Sequence, residues 1–292
     1  MGGFKGHVIA GAAFLCTSVW WFIGEILEKG LRRRTPRARK SHPQFKKEGM
    51  RFKPSQPTVW YLCHGQTLSK IPVEPMAKVI VAVIGVLVEL PFSHSTTLID
   101  ENGGFVGKNL RNYGHAMMYV FFGLSGVVDL VMWYNILPLP PKFDYLVLSL
   151  AFWVEGFLFY FHLHARDELN VRMHAILYII IFVTAIVFFI SAISDQFLSF
   201  MGFVKVYLLS LQGTWFFQIA FVLHGPNPWE NDHKNVEFTG IVVSIHAFVL
   251  FAILLTGQVI VYDTYIKKRQ LNGRLMDNSS GEEADYKPNE YP

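Results

Sequence analysis

Long apolar stretches, each with few charged residues, recur along the chain at residues 7–27, 78–91, 115–137, 145–164, 171–193, 201–224 and 238–262. A helix needs about 20 residues to cross the hydrocarbon core of a bilayer, and six of the seven stretches meet that length. The stretch at 78–91 is the shortest. It reaches spanning length only by starting near Ile71 or by running past Pro91. The pattern predicts an all-α, polytopic membrane protein built as a bundle of seven transmembrane helices. The membrane domain is expected over residues 1–265 and a polar, disordered tail over 266–292.

Composition supports this. Of 292 residues, 52% are hydrophobic and only 16% are charged, against about 25% charged in a typical soluble domain. The formal charge of +4 does not point to nucleic acid, because the basic residues concentrate in one loop, 28–72. That loop carries Lys29, Arg32, Arg33, Arg34, Arg37, Arg39, Lys40, Lys46, Lys47, Arg51, Lys53 and Lys70. A second basic cluster, Lys267, Lys268, Arg269 and Arg274, follows the last apolar stretch. Cytoplasmic loops are enriched in Lys and Arg, so both regions are expected in the cytoplasm. With seven spans, the N-terminus is then lumenal or extracellular and the C-terminus cytoplasmic.

The basic loop is also expected to contact anionic lipid headgroups. Trp20, Trp21 and Phe22 read as an aromatic belt at the membrane interface. The first span reads as an uncleaved signal anchor, since it is longer than a signal-peptide core and precedes a dense basic cluster. The sequon Asn278-Ser279-Ser280 lies in the expected cytoplasmic tail, so Asn278 is expected to be unmodified. Cys16 and Cys63 lie in different environments and form no disulfide framework.

This topology brings eight of the eleven histidines toward one membrane face: His7, His94, His115, His162, His164, His174, His224 and His246. Ionisable side chains are costly inside a bilayer, so several at one depth mark a functional site by default. Helical rise places His162 ~3 Å, His174 ~5 Å, His246 ~12 Å and Glu155 ~13 Å below the outer rim. His7 and His115 begin their helices at that rim, and Glu89 ends the second helix there. Glu155 and His162, seven residues apart, share a helix face. Three imidazoles with a carboxylate or water is ordinary zinc chemistry. His7, His115, His162, His174 and His246 are therefore the candidate metal ligands, and Glu155 is the candidate base or ligand-orienting carboxylate. The bland alternative is a structural polar network, with rim histidines merely wetted. No HExxH or His-x-x-x-His spacing is present, so the signal comes from topology rather than from a motif. Asp129 is a separate intramembrane acid that reads either as a partner of Lys205 or as the cap of a water pocket. Gln212 and Gln218 read as hydrogen-bonding groups between helices. The absence of a Walker loop and a dinucleotide fingerprint argues against nucleotide binding.

Several blocks of residues resemble the transmembrane protein 45 family, which includes the transmembrane epididymal protein. They are Gly6-His7, His115 with Met118-Tyr119, Phe121-Phe122-Gly123-Leu124, Gly126 with Asp129, and Val154-Glu155-Gly156-Phe157. They continue with Phe161-His162-Leu163-His164-Ala165-Arg166, Leu211-Gln212-Gly213-Thr214-Trp215-Phe216-Phe217-Gln218, and Trp229 through Asp232-His233 to His246. The resemblance covers most of the membrane region. It implies a multi-pass protein of Golgi, endosomal or plasma membrane and supplies no reaction. Three functions follow as expectations. One is a zinc-binding membrane protein, in its enzymatic form a metal-dependent lipid hydrolase. Another is a non-enzymatic trafficking, scaffold or pH-sensing protein. The third is a redox protein carrying b-type haem between two histidines.

Overall fold

The computed structural model describes residues 3–32, 71–161, 163, 166–194 and 198–261. These residues form seven helices: α1 (Phe4–Arg32), α2 (Val73–Glu89), α3 (Gly107–Trp133), α4 (Phe143–Phe161), α5 (Glu168–Ile193), α6 (Leu198–His224) and α7 (His233–Val261). Among them the only strand-like pairing is an isolated bridge between Ile99 and Phe105. Six helices are long and apolar enough to cross a membrane. The exception is α2, whose 17 residues include Glu74, Lys78 and Glu89. Multiple apolar helices of this length make the chain an integral multi-pass membrane protein. The basic loop from 33 to 70, the tail beyond 261, Asn278 and Cys63 lie outside the described residues, as do His162 and His164.

The chain divides into two compact units. Residues 1–25 and 49–250 form the larger one, which holds the helix packing described below. The smaller one comprises residues 26–48 and 251–292, whose described parts are the last turns of α1 and of α7.

Helix limits differ from the apolar stretches most at α3. It begins at Gly107 rather than near 115, because its polar first turns tie down the preceding loop. Asn109 Nδ2 donates to the Thr97 carbonyl at 2.7 Å, Asn112 Nδ2 donates to Ser95 Oγ at 2.8 Å, and Tyr113 OH donates to the Thr96 carbonyl at 2.8 Å. The helix stops at Trp133 rather than Leu137, where Asn135 takes φ +54°, the left-handed conformation that asparagine tolerates. At α5 the Asp167 carboxylate caps the helix, accepting from the Asn170 N–H at 2.8 Å, one of the amides that a helix start leaves without an internal acceptor.

Close approach of helices in a membrane depends on small residues. A Cβ on Gly123 would lie 2.6 Å from the Ala82 Cβ, and one on Gly126 would lie 2.9 Å from the Pro75 carbonyl, which locks α3 onto α2. On the other side Gly11 and Gly213 bring α1 and α6 together. Between them runs a ladder of aromatic rings. Phe14 stacks on Phe216 with centroids 5.7 Å apart, Phe122 meets Phe152 edge-on at 5.2 Å, and Phe152 stacks on Phe188 at 5.3 Å. Such pairs add to the burial they provide. Trp215, fully buried on α6, donates its indole N–H to the Met173 carbonyl of α5 at 2.8 Å.

The aromatic-belt reading needs correction. Trp21 is 2% exposed and turns into the bundle. Its indole donates to Glu74 Oε1 at 3.1 Å, while the Trp20 indole donates to Glu74 Oε2 at 3.0 Å. Asp129 also has a different partner from the one expected. Lys78 Nζ lies 2.8 Å from Asp129 Oδ2 and 3.3 Å from Glu74 Oε1. Lys205 instead sits over the Tyr145 ring, 4.3 Å from its centroid, a cation–π contact. In the primary chain Lys78 reads only as the start of an apolar stretch. Packing of α2 against α3 is what makes it the counter-ion of Asp129.

Candidate functional site

A cavity of about 600 Å³ runs between α1, α2 and α3, backed by α4, α5 and α6. Its middle is lined by Ile9, Ala10, Ala13, Phe14, Ala77, Val81, Ala82 and Phe122, and one end by Trp20, Glu74 and Lys78. At the other end His7, Glu89, His115, Arg166, Asn170, His174 and His224 converge. Five separate chain segments supply those side chains. The N-terminal turns of α1, α3 and α5 meet the C-terminal turns of α2 and α6, as in an up-and-down bundle.

The centre of this polar end is an imidazole cluster. The His7 ring lies 5.5 Å from that of His174 and 5.4 Å from that of His224, centroid to centroid. His7 is 7% exposed and His174 is 5% exposed. Their Nε2 atoms approach to 3.4 Å. The other nitrogen of each ring is committed. His7 Nδ1 donates to the Gly3 carbonyl at 3.0 Å, and His174 Nδ1 donates to the Asn170 carbonyl at 3.0 Å. A carbonyl oxygen only accepts, so each Nδ1 carries a hydrogen, and in the neutral ring each Nε2 then bears a lone pair. Two lone pairs facing at this distance repel unless a cation, either a proton or a metal ion, lies between them. Nδ1–H donation to a backbone carbonyl is the usual way a protein orients a ligating histidine.

His115 and Glu89 form a second pair in the same end, with Nδ1 3.4 Å from Oε2. Glu155 enters from α4, 2% exposed. It accepts one hydrogen bond, from Gln212 Nε2 at 3.0 Å, and its Oε2 has no hydrogen-bond partner among the described residues. The Oδ1 of Asn170, which lines the same cavity, is likewise buried without a partner. The Glu155–Gln212 pair lies about one helical turn below His7, since Gln212 precedes Gly213, whose backbone abuts Gly11.

Of the metal-ligand candidates, His7, His115 and His174 share this cavity, whereas His246 does not line it. His246 Nδ1 contacts Thr214 Oγ1 at 3.2 Å and its ring packs edge-on against Trp215 at 5.7 Å. Depth estimates placed His246 level with Glu155, but depth says nothing about which side of α6 a residue faces. Gln218 is half-buried away from the cavity, and His94 is exposed in the loop after α2. Among the described residues, no three His, Cys, Asp or Glu side chains converge tightly enough to hold one ion. From sequence alone His224, at the end of its apolar stretch, reads as a wetted rim residue, and nothing singles out Asn170. Only the closing of α6 on α1 gives His224 its place.

Buried polar atoms left unmatched on both sides of the Glu155–Gln212 bond are costly. Replacing one partner of a buried bond costs about 1–3 kcal/mol, whereas replacing both with apolar groups is nearly neutral. Glu155→Met and Gln212→Leu alone are therefore expected to lower thermal stability in detergent, and the double variant to recover it. A double variant no better than the worse single variant would show that the pair is held by more than its own hydrogen bond.

Residues 141–257 match a protein family described as a family of unknown function (DUF716). The matched region runs from just before α4 through most of α7. It contains Glu155, His174, His224 and His246, and leaves out His7, Glu89 and His115.

Proposed function

We propose that this chain is a seven-span protein of the transmembrane protein 45 type whose histidine cluster holds a transition-metal ion, with zinc the first candidate. In this reading α2 completes the seventh crossing, the N-terminus and the histidine cluster face the lumen or cell exterior, and the C-terminus is cytoplasmic. The residence is Golgi, endosomal or plasma membrane. The family match over α4 to α7 is compatible with that assignment and carries no activity with it.

The observation that carries the metal reading is the His7–His174 pair. Two nitrogens, each ~2.0–2.1 Å from a tetrahedral zinc, sit about 3.3–3.4 Å apart. The observed separation is 3.4 Å, with both rings oriented by backbone carbonyls. Zinc held by His7 and His174 would supply a Lewis acid able to activate water. Glu155, with one oxygen unpartnered in the same cavity, is the candidate base for a hydrolytic reaction on lipid. A haem would have to lie between two axial rings, and His7 and His174 approach too closely to admit a macrocycle.

Elemental analysis of the purified full chain tests this. Near-stoichiometric zinc is expected, falling to background in His7→Ala and His174→Ala and unchanged in His94→Ala. A Soret band in the same preparation would replace zinc by haem. Folded, metal-free protein would overturn the metal reading. The pair would then share a proton, and the pH-sensing alternative would take its place.

A further inference from the structure

The geometry points to a single-chain lipid whose head carries hydrogen-bond donors, of the monoacylglycerol kind, as the occupant of the cavity between α1 and α2. Binding of this lipid stands apart from the zinc reading. Only its role as a substrate rests on it.

The middle of the lining is apolar, between the His7 end and the end formed by Trp20, Glu74 and Lys78. Small or slender side chains, Ala10, Ala13, Ala77 and Ala82, keep the space between α1 and α2 open rather than filled. From Gly11 to Trp20 is nine residues, about 14 Å of helix. That is close to the ~15 Å that one leaflet's chains occupy in a core ~30 Å thick. The cavity volume of about 600 Å³ lies within the ~300–1,000 Å³ range of small-ligand sites. Ala13 and Val81 line the cavity and are exposed, so the space between the two helices is open rather than sealed.

The polar end selects the head. Two buried oxygens there, Glu155 Oε2 and Asn170 Oδ1, have no hydrogen-bond partner among the described residues. An occupant with two hydroxyl groups, each able to donate or accept, satisfies both. A free fatty acid carboxylate supplies none.

The test is photo-crosslinking of the purified full chain with a monoacylglycerol bearing a diazirine in its acyl chain, followed by peptide mapping. Label is expected on α1 and α2 peptides that line the cavity. Ala13→Trp and Val81→Trp, each placing a large ring in the tail space from an exposed position, should cut it about tenfold, while Val19→Trp, exposed on α1 but outside the lining, should not. Loss of two hydrogen bonds should leave the matching fatty acid probe about tenfold weaker. Label unchanged in both Trp variants overturns the site, and equal labelling by the fatty acid overturns the choice of head. Zinc content measured on the same samples keeps the two readings separable, since Trp at position 13 or 81 removes no ligand. Metal-free protein with intact labelling leaves the lipid site standing.

Discussion

Lys78→Met is expected to be among the most destabilising single substitutions in the described bundle. It removes the cation that Glu74 and Asp129 share, leaving two carboxyl groups at 8% and 1% exposure facing an apolar side chain. Breaking a buried ion pair by deleting one partner typically costs about 3–5 kcal/mol. The mirror experiment is milder. Asp129→Asn leaves Lys78 with Glu74 at 3.3 Å. The double variant Lys78→Met with Asp129→Leu should regain much of the loss, because Glu74 keeps its two indole donors from Trp20 and Trp21. Unfolding midpoints in a mild detergent for the three variants provide the check. A Lys78→Met protein as stable as the parent would mean that water solvates the cluster.

Gly213→Leu is the second severe change. A Cβ at this position would lie 2.8 Å from Leu15 Cγ and 3.0 Å from both the Gly11 carbonyl oxygen and the Leu15 backbone nitrogen. Side chains can swing away from such a collision, but backbone atoms cannot, so α1 must move off α6. Overpacking of this kind costs about 1–3 kcal/mol even for small additions, and Leu should exceed Ala at this site. The displacement has a second readout. His7 sits one turn from Gly11 on α1, while His174 and His224 belong to α5 and α6. Lifting α1 separates His7 from both, so zinc should be lost together with stability. Gly240→Ala is the control, since nothing lies within 4 Å of its added Cβ and alanine favours helix. Full zinc occupancy in a folded Gly213→Leu protein would contradict the assignment of His7 as a ligand.

These two variants show where sequence reasoning stops. Each described helix could be read from its apolar stretch, with ends misplaced by a few residues where polar side chains, such as Asn109 and Asn112, extend a helix beyond its greasy part. The level of the histidines could also be read, because helical rise converts residue number into depth. Their azimuth could not. His174 and His246 are both plausible ligands by depth, yet one meets His7 and the other packs on Thr214 and Trp215 outside the cavity. Asp129 fails for the same reason: the sequence offers Lys205 as its partner, and the contact between α2 and α3 supplies Lys78 instead.

The sequence by itself determined that the chain is a helical membrane protein, and it pointed to several histidines near one end of the helices. Hydrophobic length and charge are properties of single segments, and a bilayer selects on them segment by segment. Which of those polar groups touch was decided only by tertiary structure. Glycines at 11, 123, 126 and 213 set how close the helices come and how each is rotated, and rotation about a helix axis leaves hydropathy and depth unchanged. The open space between α1 and α2, and the two nitrogens facing each other at its mouth, exist only once those rotations are fixed.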